Sequence, residues 1–160
     1  MSRTIFTLGY EKRSLDEFIG ILRDHAITVL VDVRETAWSH KPGFTKGPLR
    51  DALGRVGVGY VHARFAGNPK WLRDEADTNA ECLAWYRWYL GEFNEIVEAF
   101  SSMVDAMVAE GERVCLVCFE RHPDDCHRGI IAGEWHHRGG RRVEHLEVEG
   151  CERRVPPTAG

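Results

Sequence analysis

The chain has 160 residues, 43% of them hydrophobic and 29% charged, which suits one soluble domain with a core that needs neither disulfides nor metal. No apolar run approaches the roughly 20 residues of a membrane span, and residues 1–6 pass directly into a strand-like pattern, so no signal peptide and a cytoplasmic location are expected. A formal net charge of -4 disfavours sequence-blind nucleic-acid binding without excluding a local basic pocket, and five cysteines, an odd number, read as reduced thiols.

Residues 4–8 form a short β-branched run that stops at Gly9, a first strand. Ser14-Leu15-Asp16-Glu17 has the form of a capping box, and Leu15, Phe18, Ile19 and Leu22 follow at helical spacing. Residues 27–33 are apolar until Asp32, as in a parallel strand covered on both faces. A polar loop is expected over 34–48, a short helix over 49–56 and a third strand over 58–62. Residues 63–79 have no period and contain Gly67-Asn68-Pro69, so they read as a second long loop, and long loops in compact domains tend to be functional.

Residues 82–107 are helical in pattern, with a break expected near Gly91. Their aromatic stripe of Trp85, Trp88, Tyr89 and Phe93 suits a core or a subunit interface, and so predicts a homodimer as one outcome. A fourth strand is expected over 114–119, a helix over 124–137 and a fifth strand over 143–148. Alternating strands and helices imply an α/β single-domain three-layer sandwich, Rossmann-like, with a mostly parallel five-stranded sheet. The domain is expected to span residues 1–150, with a flexible tail over 151–160 that contains Pro156-Pro157.

In such a fold ligands bind at the carboxyl ends of the strands. The residues at those ends are Gly9 and Arg13 after the first strand, Asp32 and Arg34 after the second, His62 after the third, and Cys118 and Glu120 after the fourth. Cys115 and Cys118 are three apart and should face opposite sides of a strand, so their C-x-x-C spelling is not a redox pair and Cys115 belongs to the core. Cys126 stands two residues past Asp124, a good N-cap, and is expected inside the first turn of a helix. There the macrodipole and Arg128 favour a thiolate, while Asp124 and Asp125 oppose one. Asp32 and Arg34 read either as a salt bridge or as a ligand-positioning pair.

Zinc is weighed against an acid–base or nucleophilic role. Cys118, Cys126 and His127 supply two thiols and an imidazole, with Glu120 or His62 as a fourth group. Adjacent residues converging on one ion are awkward at a helix start, and no familiar zinc spacing is present. No metal is therefore assigned, and the cofactor is left open.

Four motifs stand in order along the chain. They are residues 7–18, Leu30-Val31-Asp32-Val33-Arg34 with Pro42 and Phe44 beyond it, Tyr60-Val61-His62 with Gly67, and Cys118-Phe119-Glu120 followed by Cys126-His127-Arg128. Together they resemble the DUF488 family, proteins of unknown function, over residue 4 to about residue 146. Many members carry Gly-His-Ser where this chain has Gly9-Tyr10-Glu11. The resemblance implies a fold and a site more firmly than an activity.

Two functions follow as expectations. The first is an enzyme acting on a nucleotide, nucleobase or nucleic-acid-derived anionic small molecule. Cys126 would be nucleophile or acid, with Cys118 beside it; His127 or Glu120 would carry the proton; Arg34 and Arg128 would orient the anionic group. The second is a non-catalytic nucleotide-sensing or protein-interaction module that docks through Trp85, Trp88 and Tyr89. A G-x-G-x-x-G turn is missing after the first strand, which removes a dinucleotide oxidoreductase.

Overall fold

Continuous β-branched runs and amphipathic segments alternate along the chain, and in the computed structural model, which describes residues 3–148, they become strands and helices in the same order. The strands are β1 (Arg3–Gly9), β2 (Val29–Asp32), β3 (Gly59–His62), β4 (Val114–Cys118) and β5 (Arg141–His145). The helices are α1 (Leu15–Asp24), α2 (Lys46–Gly54), α3 (Lys70–Arg73), α4 (Asn79–Glu92), α5 (Asn94–Ala109) and α6 (His127–His136). All four strand pairings are parallel, in the order β3-β2-β4-β1-β5. The domain boundary at 150 and the tail over 151–160 lie outside the described residues. Among the described residues no helix is long and apolar enough to cross a membrane.

Strand periodicity sorts the core into two layers. Ile5, Val29, Val31, Leu116 and Cys118 face one side of the sheet, where α5 and α6 cover them with Phe100, Val104, Ile131 and Trp135. Phe6, Leu8, Leu30, Cys115 and Val117 face the other, against Phe18 and Leu22 of α1 and Leu49 and Leu53 of α2. Helices on both faces of a parallel sheet make the three-layer α/β sandwich. Cys115 and Cys118 lie in opposite layers, as their three-residue spacing on a strand requires.

Several boundaries differ from the sequence expectation, each for a local reason. The Ser14 capping box forms as read, with Ser14 Oγ accepting from Glu17 N at 3.1 Å. The break in the long helix, expected near Gly91, falls at Phe93 (ψ 63°). The loop over 63–79 contains a 3-10 turn (Arg64–Ala66) and α3. The last strand begins two residues earlier than expected, at Arg141, after positive-φ Gly139 and Gly140. The largest difference is at α6. Pro123–Asp125 form a separate 3-10 turn capped by His122, so Asp124 is not the N-cap of α6. Cys126 takes that position with an extended backbone (φ -132°, ψ 142°).

β4 lies between β2 and β1, with Cys118 in register with Gly9 and Val117 with Asp32. The ends of the three central strands therefore meet at one place. Gly9 makes that approach feasible: a Cβ there would stand 1.9 Å from the Glu120 carbonyl oxygen. Gly9→Ala is expected to destabilise by about 1–3 kcal/mol or more through overpacking against backbone. The urea midpoint measures this, and an unchanged midpoint would mean that the two segments can part freely.

Candidate active site

Cys118 closes β4, Glu120 follows two residues later, and Cys126 and His127 open α6 directly beside them. The His127 ring is fixed at both nitrogens. Nε2 lies 2.6 Å from the Val33 carbonyl oxygen and therefore donates to it, which turns Nδ1 toward Cys118 Sγ at 3.2 Å. Tyr86 meets the ring edge to face at 5.4 Å, its hydroxyl donating to the Ala66 carbonyl. Cys118 Sγ lies 4.0 Å from a Glu120 carboxyl oxygen. Cys118 Sγ, Cys126 Sγ and one His127 ring nitrogen all lie within 4.8 Å of one another. The extended backbone of Cys126 brings neighbouring side chains to one point, which a continuous helix would not do.

Electrostatics concentrates negative charge on one sulfur. Burial opposes a thiolate at Cys126, yet hydrogen bonds from Cys118 and His127 and the charges of His127 and Arg128 outweigh it and hold its pKa well below the ordinary thiol value. Cys118 moves the other way, through burial and then through its bond to Cys126. Burial, followed by the charge of Cys126, pushes the Glu120 carboxyl up to about 8. Burial disfavours a charged His127, but its bond to Cys126 prevails and its pKa rises. Cys115 is raised by burial alone and takes no part.

Cys118, Glu120 and His127 form the floor of a cavity of about 230 Å³, whose walls include Trp38, Asn68 and Phe119. Trp38 and Phe119 are among the exposed large apolar side chains. Asn68 is buried; its Nδ2 contacts Cys82 Sγ at 3.2 Å, while its Oδ1 has no partner. Arg73 stands at the rim, paired with Glu35 at 3.0 Å. Cys126 is not part of the lining and is 1% exposed, so the sulfur that faces the cavity belongs to Cys118.

The remaining expected site residues build the walls from behind. Arg34 borders the cavity, but its guanidinium donates to both Asp32 carboxylate oxygens (2.9 and 2.7 Å), to Tyr10 Oη and to the Phe44 carbonyl. Burial opposes its charge; the Asp32 bond and charge outweigh it and raise its pKa. Tyr60 Oη donates to Asp32 at 2.5 Å, and His62 Nε2 contacts the Arg34 carbonyl at 2.7 Å. Arg128 donates to the carbonyls of Glu120 and Arg121, and so clamps the segment that carries Glu120. Arg13 donates to the carbonyls of Gly9 and Glu147. Gly9, Arg13, Asp32, His62 and Arg128 do not line the cavity, so they position it.

Sequence reasoning did not single out Trp38, Asn68, Arg73 or Phe119. The available signal was the two aperiodic loops, which hold the first three of them.

A family model described as "Domain of unknown function DUF488" matches residues 14–134. The match spans both loops, β4 and the start of α6. No curated protein and no solved structure matches the chain.

Proposed function

The chain belongs to the DUF488 family, and on the site it carries we propose that it is an enzyme acting on a nucleobase-bearing small molecule, nucleotides included, in the cytoplasm, where its thiols stay reduced. One observation carries this reading: the thiol of Cys118, the imidazole of His127 and the carboxyl group of Glu120 line a single cavity, with the Cys126 thiol buried behind them. Packing has no need of that set, since apolar side chains fill a core without buried polar groups to satisfy. Glu120 is the proton carrier, and Cys118 and His127, with Cys126 buried behind them, face the reacting atom.

Trp38 and Phe119 suit the faces of a planar base. Arg34 and Arg128 are held by internal partners, so Arg73 is the group proposed for a phosphate. Its exposed pair with Glu35 is weak enough to exchange.

The test is a thermal-shift screen of nucleobases, nucleosides and mononucleotides, with each hit checked for chemical change. Trp38→Ala should lose the shift, whereas Cys118→Ser should keep it and lose turnover. Absence of any shift across the panel would overturn the reading.

A second reading, a non-catalytic nucleotide-sensing or interaction module, draws on α4, where Trp85 and Trp88 are exposed and meet edge to face at 5.6 Å. It predicts a homodimer that Trp88→Glu converts to monomer in light scattering. A wild-type monomer at every concentration would count against that surface.

A further inference from the structure

We propose that Cys118, Cys126 and His127 bind one zinc ion, with the fourth coordination position open to the cavity beside Glu120. The donor set is two sulfurs and one imidazole, the soft set that selects zinc over magnesium or calcium. Bonds of about 2.3 Å to sulfur and about 2.0–2.1 Å to nitrogen put tetrahedral ligand atoms roughly 3.6–3.8 Å apart. The three atoms here lie within 4.8 Å of one another, so small side-chain rotations admit the ion.

Three further observations support coordination over a hydrogen-bonded thiol cluster. His127 Nε2 is tied to the Val33 carbonyl at 2.6 Å, the outer-shell bond that fixes a metal-bound histidine and turns its Nδ1 inward. Cys118 and Cys126 are both buried, and a divalent cation neutralises two thiolates that would otherwise be costly there. The ligands sit on a strand end and a helix start with Tyr86 packed against the imidazole, a rigid frame.

Glu120 is not a member of the three-ligand group, yet its carboxyl lies 4.0 Å from Cys118 Sγ and faces the cavity. A Cys₂His site with an open position and an adjacent carboxyl is a catalytic arrangement, in which zinc lowers the pKa of a bound water. The use of the ion rests on the enzymatic reading; its binding does not.

The experiment is elemental analysis of the full chain after zinc loading and exhaustive dialysis, followed by replacement with cobalt and absorption spectroscopy. About one ion per chain is expected, with sulfur-to-cobalt charge-transfer bands and tetrahedral d–d bands in the wild type. Cys126→Ser and His127→Gln should each lose the ion at least tenfold, whereas Cys82→Ser, which removes a thiol outside the group, should retain it. Zinc-free wild type, or a cobalt form without thiolate bands, would overturn the site whether or not the variants fold. Turnover by metal-free protein would overturn the ion's catalytic part. Bound zinc without turnover of any base would instead overturn the proposed function and leave the metal site standing.

Discussion

Asp32→Ala is expected to cost about 3–5 kcal/mol of folding stability, because it strands a buried guanidinium. Asp32 is 0% exposed and Arg34 6%, and their closest contact is 2.7 Å. Asp32 also accepts from Arg34 N at 3.1 Å and from Tyr60 Oη at 2.5 Å, so one carboxylate satisfies three donor groups at the end of β2. Arg34 passes the constraint on to Tyr10 and to the Phe44 carbonyl, and those two rings stack at 4.5 Å. The loss should therefore reach the cavity wall. Asp32→Asn keeps the shape and part of the bonding and should cost less. Asp32→Ala with Arg34→Met should recover part of the loss, since no charge is left unpaired. Urea unfolding of the three variants measures this; a loss under about 1 kcal/mol for Asp32→Ala would place the pair in the range of an exposed one.

Glu120→Gln should lower kcat about 10²- to 10⁴-fold, the range of a lost general acid or base, with little change in thermal stability. The substitution keeps size and hydrogen-bonding reach, and the Arg128 clamp is untouched because it grips the backbone carbonyls of Glu120 and Arg121. Removing the clamp differs. Arg128→Met should lower stability and let the 120–121 segment move, so kcat and thermal stability fall together. A Glu120→Gln enzyme at wild-type rate would remove Glu120 from the chemistry.

The parts of the fold that were legible from sequence are those written in local periodicity. The continuous apolar run ending at Asp32 specified a buried parallel strand, and Ser14 with Glu17 specified a helix start. Two-residue alternation separated Cys115 from Cys118. The start of α6 was misread because Asp124 is a good cap chemically, but Pro123 and Asp125 close a separate 3-10 turn ahead of it. That one boundary carries the site, since an extended Cys126 brings the adjacent Cys126 and His127 side chains together.

Arg34 and Arg128 looked like anion-binding groups because, beyond the Asp32–Arg34 salt bridge that the spacing already offered, their partners could not be read locally. Those partners are the Phe44, Glu120 and Arg121 carbonyls, which carry no side-chain signature. Trp38, Asn68 and Arg73 come from aperiodic loops, where composition marks a functional region without marking residues.

Mass-spectrometric product detection decides whether the cavity carries out chemistry on a base. Wild type and Glu120→Gln would be incubated with every base, nucleoside and nucleotide that raises the thermal midpoint. A changed molecule is expected with the wild type and an unchanged one, still bound, with Glu120→Gln. A ligand that binds the wild type tightly and is recovered unaltered in every case would contradict the enzymatic reading.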